Sequence, residues 1–228
     1  MTDPDVREEI MAATYEVLCE HGYTELTARD IADRTDKSKS RLFYHYDSTD
    51  ALIADFVDFL LEEFERRVAA ADDRPPVERL ATFVDSYLYE PSSDASFHTA
   101  LLELRAHASR DERYRKRFAE SDDRLRTILE EILRDGQAAG QFREHDPGRI
   151  AALLLAALDG ALVRKLTVGR DSYPDEVRAA TSELVLEEVL ADDVVFPAKR
   201  NVTPIAGFEG TDRTAPESDR AAESRRHE

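Results

Sequence analysis

The chain has 228 residues, 42% of them hydrophobic, one cysteine and a formal charge of −18 at pH 7. That hydrophobic share excludes global disorder, and a single thiol excludes a disulfide-stapled framework. The longest apolar run, Ile150 to Leu158, falls short of the roughly 18 residues a membrane helix needs, so a cytoplasmic protein with no membrane partner is expected.

Pro4 follows Asp3 as a first-turn proline, and Val6, Ile10, Ala13, Val17 and Leu18 recur at helical spacing until Gly22 supplies a stop. Cys19 falls in that pattern and reads as a buried, inert thiol. Thr27 with Asp30 three residues on resembles a variant capping box that opens a short helix to about Arg34, with Ile31 facing inward. Ser38 is the N-cap candidate of a second short helix to about Tyr44. Only Thr35, Asp36 and Lys37 separate the two, which is the spacing of a helix-turn-helix.

Ser48 then caps a longer helix with Leu52, Ile53, Phe56, Phe59, Leu60 and Phe64 at helical positions to about Ala70. After Pro75 and Pro76, helical patterns run from about Val77 to Tyr89, Phe97 to Ser109, Asp111 to Ala139, Pro147 to Val168 and Pro174 to about Leu190. No segment alternates with period two, so the fold class expected is all-α: an N-terminal helix-turn-helix three-helix domain followed by a helical bundle. The domain expectation is 1–47 for DNA binding, 48–196 for effector binding and dimerisation, and 197–228 for a disordered tail. From Pro197 onward, Pro, Gly, Ser, Thr and balanced charge replace apolar periodicity.

An overall charge of −18 argues against a polyanionic partner, but the basic residues are unevenly placed. Between Arg34 and Tyr46 stand Arg34, Lys37, Lys39 and Arg41 against the one acid Asp36, a local balance of +3 in an acidic chain. A recognition helix carries its base-reading side chains near its N-terminus and apolar residues behind them. Lys39, Ser40 and Arg41 follow the Ser38 cap, while Leu42, Phe43 and Tyr46 can pack behind. Arg41 suits the O6 and N7 edge of guanine, whereas Lys37 and Lys39 suit phosphates. Thr27 is a cap whose hydroxyl or helix N-terminus can also meet a phosphate.

The run Leu26-Thr27-Ala28-Arg29-Asp30-Ile31-Ala32-Asp33-Arg34, then Ser38-Lys39-Ser40-Arg41-Leu42-Phe43-Tyr44-His45-Tyr46 and Ser48-Thr49-Asp50-Ala51-Leu52, resembles the N-terminal domain of TetR-type regulators. The resemblance spans about residues 6 to 56 without insertion. It implies a DNA-binding transcriptional regulator, by default a repressor, that binds double-stranded DNA at a palindromic operator as a homodimer. A small, largely apolar effector would release it. Tyr44 and His45 match the family's aromatic pair at this position, one of which usually touches the backbone or a thymine methyl. Three positions depart from the common pattern: Asp36 for a turn glycine, Lys37 for an apolar residue, and Thr49 for a phosphate-gripping lysine. At the last, only the Ser48 and Thr49 hydroxyls and nearby amides remain as weaker substitutes.

Ile150, Leu153, Leu154, Leu158, Leu162 and Leu166 read as one face of a helix containing Gly160, and Val177, Leu184, Val185 and Val189 as a second face. A small residue in such a helix permits close approach of a partner, and the resemblance implies that these two helices pair with their twins. The dimer candidates are Leu158, Gly160, Leu162, Leu184 and Val185, with an intramolecular core helix as the alternative. The resemblance also implies an effector pocket, for which Tyr87, Phe97, His98, Glu103 and His107 are the candidates, each read more readily as a surface or satisfied core residue than as a ligand contact. The rival readings are a bundle enzyme and a helical interaction module without DNA affinity. Paired Glu-x-x-His motifs, a Gly-rich phosphate loop, a Cys and His cluster and a nucleophile elbow are all absent, so no catalytic residue, cofactor or metal is expected. The richness in Asp and Glu with only five lysines resembles proteins of organisms that keep concentrated salt in the cytoplasm.

Overall fold

The computed structural model describes residues 4–35, 44–89 and 95–199. In chain order they form α1 (Pro4–Glu25), α2 (Ala28–Arg34), α3 (Thr49–Ala69), α4 (Pro76–Leu88), α5 (Ala95–His107), α6 (Glu112–Ala138), α7 (Pro147–Val168) and α8 (Tyr173–Ala180). A π-helical turn, Thr181–Leu186, and the short α9 (Glu187–Val189) follow α8. The fold is all-α, and the one β-bridge among the described residues joins Phe142 to Leu190. No helix among these residues is long and apolar enough to cross a membrane.

Helix starts follow the polar caps. The Thr27 hydroxyl accepts from the Asp30 amide at 3.3 Å, Ser48 Oγ from the Ala51 amide at 3.1 Å, and Asp111 from the Arg113 amide at 2.9 Å. Each satisfies an amide that the first helical turn leaves unpaired. Gly22 interrupts α1 with φ 70°, a conformation costly for any residue with a Cβ. The kink turns the Tyr23 amide outward to donate to Glu103 on α5 at 3.3 Å.

Among the described residues the apolar side chains gather in two clusters. The first gathers Ile10, Met11, Val17 and Leu18 of α1, Ile31 of α2, Leu52 to Phe59 of α3, and Phe97, Ala100 and Leu104 of α5. The second gathers Phe64 and Val68 of α3 with residues of α4, α6, α7 and α9. Helix α3 therefore runs through both. Its acidic residues are bridged from the outside: Asp55 and Glu62 by Arg7 at 2.8 and 2.7 Å, and Asp50, Asp58 and Glu65 by Arg113, Arg117 and Arg124 in the same order along α6.

The structure alters three sequence expectations. The last helix is not continuous, because residues 181–186 widen into a π turn. The basic island is smaller than its sequence suggests, since Arg34 is paired with Glu20 and, at 3.6 Å, with Glu16. The body also extends beyond residue 196. Arg178 binds buried Asp85 at 2.6 Å, donates to the Pro197 carbonyl at 3.0 Å and lies over the Phe196 ring, while Lys199 pairs with Asp175 at 2.9 Å. Residues 197–199, assigned to the tail, are thus tied down by an ionic clasp that composition does not reveal. The rest of that segment, 200–228, lies outside the described residues. Cys19 packs against the first cluster but is only partly buried.

Candidate nucleic-acid interface

The base-reading candidates Lys37, Ser38, Lys39, Ser40 and Arg41 lie outside the described residues, as do Leu42 and Phe43. The residues that bracket them are described. Tyr44 is 84% exposed, and its ring meets half-buried His45 edge-on at 5.4 Å. Tyr46 is buried and donates to Asp55 at 2.6 Å, and Arg7 grips the same carboxylate. Burial and the Asp55 bond push the Tyr46 hydroxyl well above its usual titration range, so it stays a neutral donor. This knot ties the end of the helix-turn-helix to α1 and α3. Thr27 is exposed, and its hydroxyl also donates to the Asp30 carboxylate, which that bond holds below its ordinary pKa. Thr49 is the first residue of α3 and is half-buried.

An open groove of about 1050 Å³ runs between these helix starts and the end of α5, with Thr27, Thr49, Asp50, Glu103, His107 and Arg110 on its walls. Tyr23, His107 and Tyr114 cluster there with ring centroids 5.5 to 6.2 Å apart. Asp50 accepts from Tyr114 at 3.1 Å and from Arg113 at 2.8 Å.

A second cavity, of about 300 Å³, lies among α3 to α7. Val57, Leu60, Leu101, Leu102, Phe118 and Leu166 give it apolar walls. One wall is polar: Tyr87 donates to Asp159 at 2.6 Å, and Arg105 pairs with the same carboxylate at 3.1 Å. Burial, with Asp159 beside it, pushes the Tyr87 phenol well up, so it remains protonated and donating.

The five side chains named for an effector pocket do not surround one cavity. Tyr87 and His98 line it. Phe97 turns the other way, 1% exposed, against Tyr15 at 4.6 Å in the first cluster. Glu103 and His107 face the groove beside α1. On a 3.6-residue helix, 98, 101, 102 and 105 occupy one face and 97, 100 and 104 another, so α5 is buried on two sides. Arg105 and Asp159 were missed as the cavity's polar pair. The signal available was a helix patterned on both faces.

The dimer candidates also divide. Gly160 lies on an open face of α7, with no atom within 4 Å of where a Cβ would stand. Leu153, half exposed, and exposed Val163 accompany it at helical spacing, and Leu184 is 74% exposed. Leu158 is fully buried in the second cluster and Leu162 lines the cavity, so neither stands on that face. A Leu-rich helix offers apolar residues all round, and neighbouring helices decide which are covered. Val185 belongs to the π turn, its side chain outside the described residues.

Comparison with known proteins agrees over the whole body. The family model for bacterial regulatory proteins of the tetR family matches residues 10–56, and that for the C-terminal part of BetI-type transcriptional repressors matches residues 76–190. Among solved structures, a TetR transcription regulator from Haloarcula marismortui is 34% identical, covering 82% of this chain and all of its own, with a TM-score of 0.75. A transcriptional regulator from Saccharomonospora viridis, solved in complex with choline, is 21% identical over 83% of this chain and all of its own, with a TM-score of 0.68. The fatty acid degradation regulator FadR from Bacillus halodurans is 17% identical over 78% of this chain and 93% of its own, at 0.65. These last two share the fold. No curated protein matches. The capped helices around the helix-turn-helix, the bundle behind them and these matches converge: the chain belongs to the TetR family of DNA-binding transcriptional regulators.

Proposed function

We propose that this regulator is a cytoplasmic repressor that grips a palindromic double-stranded operator as a homodimer and lets go when a small, largely apolar effector enters the 300 Å³ cavity. In this reading Lys37, Ser38, Lys39, Ser40, Arg41, Tyr44 and His45 face the DNA, with Arg41 reading a base edge and Thr27 and Thr49 meeting phosphates. Residues 1–47 form the reading head, and the body that holds the effector extends to 199 rather than 196.

The observation that carries the effector reading is the double role of α5. One face of this helix walls the cavity with His98, Leu101, Leu102 and Arg105, and the other packs Phe97 and Leu104 into the core of the reading head. A ligand that separates Arg105 from Asp159 acts on the same rigid element that holds Tyr15 and the Tyr23 amide. It can release DNA only by binding the released state more tightly than the bound one. The choline in the Saccharomonospora viridis relative is an example of a small organic guest in a protein of this fold.

Genomic fragments retained by the purified protein give the operator, and compounds are then screened for release of that fragment. Expected is at least one compound that weakens operator binding in the wild type and loses this effect in Leu102→Trp, which fills the cavity. Release undiminished by the filled cavity would overturn the site. For the dimer, Gly160→Trp should block the partner helix and give folded monomers in light scattering, without affinity for a two-half-site operator. Unchanged dimers would refute the α7 face.

A further inference from the structure

We infer that Arg110, on the turn between α5 and α6, is a backbone-phosphate contact that the body of the protein adds to the footprint of the helix-turn-helix. The inference rests on the DNA-binding reading above and extends it to a residue outside the reading head.

Arg110 is exposed and lines the groove that also holds Thr27, the cap of α2, and Thr49, the first residue of α3. The two acids on those walls are already engaged. Asp50 is held by Arg113 and Tyr114, and Glu103 accepts from the Tyr23 amide. Arg110 has no carboxylate partner among the described residues, in a protein whose 49 acids outnumber 31 basic residues. Most of the guanidinium groups around it are paired: Arg105 with Asp159, Arg113 with Asp50 and Asp111, Arg115 with Glu112. Selective pairing of that kind leaves a positive charge where an external anion can neutralise it.

The turn also holds its guanidinium on a fixed base. The Ala108 amide donates to Leu104, Ser109 to Ala106 and Arg110 to His107 at 2.9 Å, and Ser109 Oγ bonds the Ala106 carbonyl at 2.8 Å. A phosphate contact made from such a base costs little ordering of the backbone. Its place in the groove that Thr49 also lines is apt, because a hydroxyl at that position gives the start of α3 no cationic side chain for the strand. The Arg110 guanidinium supplies a cation in the same groove.

The competing role for Arg110 is local: a cation just past the C-terminus of α5 favours that helix's dipole. The two roles separate in measurement. Affinity for random duplex DNA and for the operator fragment is measured across salt concentrations for the wild type, R110A, R110K and the control R74A. Arg74 also lacks a carboxylate partner among the described residues but sits beyond the far end of α3, about 30 Å away at 1.5 Å per residue. The expected result is that R110A lowers affinity on both DNAs equally and reduces the slope of log K against log salt by about 1.8 per bound dimer, the loss of one phosphate contact in each protomer. R110K keeps the slope, R74A matches the wild type, and all four melt alike. A wild-type slope in R110A overturns the inference, and a lowered melting temperature with that slope assigns Arg110 to the helix dipole instead. A wild type without affinity for DNA overturns the reading beneath it as well.

Discussion

The two halves of this molecule are built on different principles. The second cluster is a bundle core in which the end of α3 and the α4, α6, α7 and α9 that follow it bury their apolar faces on one another. The first is not self-contained: α1, α2 and the start of α3 enclose Phe97, Ala100 and Leu104, which the chain delivers about 60 residues later. A module as small as α1, α2 and the start of α3 has little apolar surface to bury and is marginal by itself. Borrowing α5 solves that problem and creates a mechanical link, because the borrowed helix walls the cavity with its other side. The difference teaches how the proposed coupling between effector and operator would arise: from the way the smaller core is completed.

Phe97→Ala tests the borrowed face most directly. Removing a fully buried ring from between Tyr15 and Phe56 should cost about 3–5 kcal/mol in denaturant unfolding and weaken DNA binding at temperatures where the bundle is still folded. A loss below about 1 kcal/mol would show that the reading head stands without α5.

On the other side, Asp85→Ala should cost about 3 kcal/mol, since it leaves the Arg178 guanidinium, only 11% exposed, without its counter-charge. The damage should stay in the bundle and the 194–199 clasp. Hydrogen exchange showing equal loss of protection in α1 would mean that the cores unfold as one.

Gly136→Ala is a smaller perturbation of the same bundle. A Cβ there would stand 2.1 Å from the Phe142 ring, which must move, at a cost of about 1–3 kcal/mol from overpacking. Phe142→Leu in the same chain should recover part of the loss in a thermal melt. No recovery would show that the strain lies elsewhere.

Asp111→Asn is the mildest change, at the α6 cap near the junction of the halves. Arg113 holds the Asp111 carboxyl down from 3.8 to about 2. A depressed carboxylate stabilises the fold above its unfolded pKa and loses that contribution as pH falls from about 4 to about 2. Asn keeps the cap but cannot titrate, so the melting curves of variant and wild type should converge over that window. A gap that stays constant down to pH 2 would show that the Arg113 pair adds nothing to the fold.

Local chemistry, read from the sequence alone, determined where helices begin and end. Thr27, Ser48, Asp111 and the prolines at 76 and 147 act within one turn of themselves, so their caps are legible without a partner. The register of the helix-turn-helix pattern determined the family for the same reason. Tertiary structure decided which face of each helix is covered. Leu153 and Leu158 are equally apolar, yet one faces solvent and the other the core, because α4 and α6 cover only one side of α7. It also separated Phe97 from His98, paired Arg34 with acids 14 and 18 residues away, and drew 197–199 onto the body through Arg178 and Lys199. Those outcomes depend on residues distant in sequence meeting in space, and periodicity, which records only the angle between neighbours on one helix, carries no information about what stands opposite.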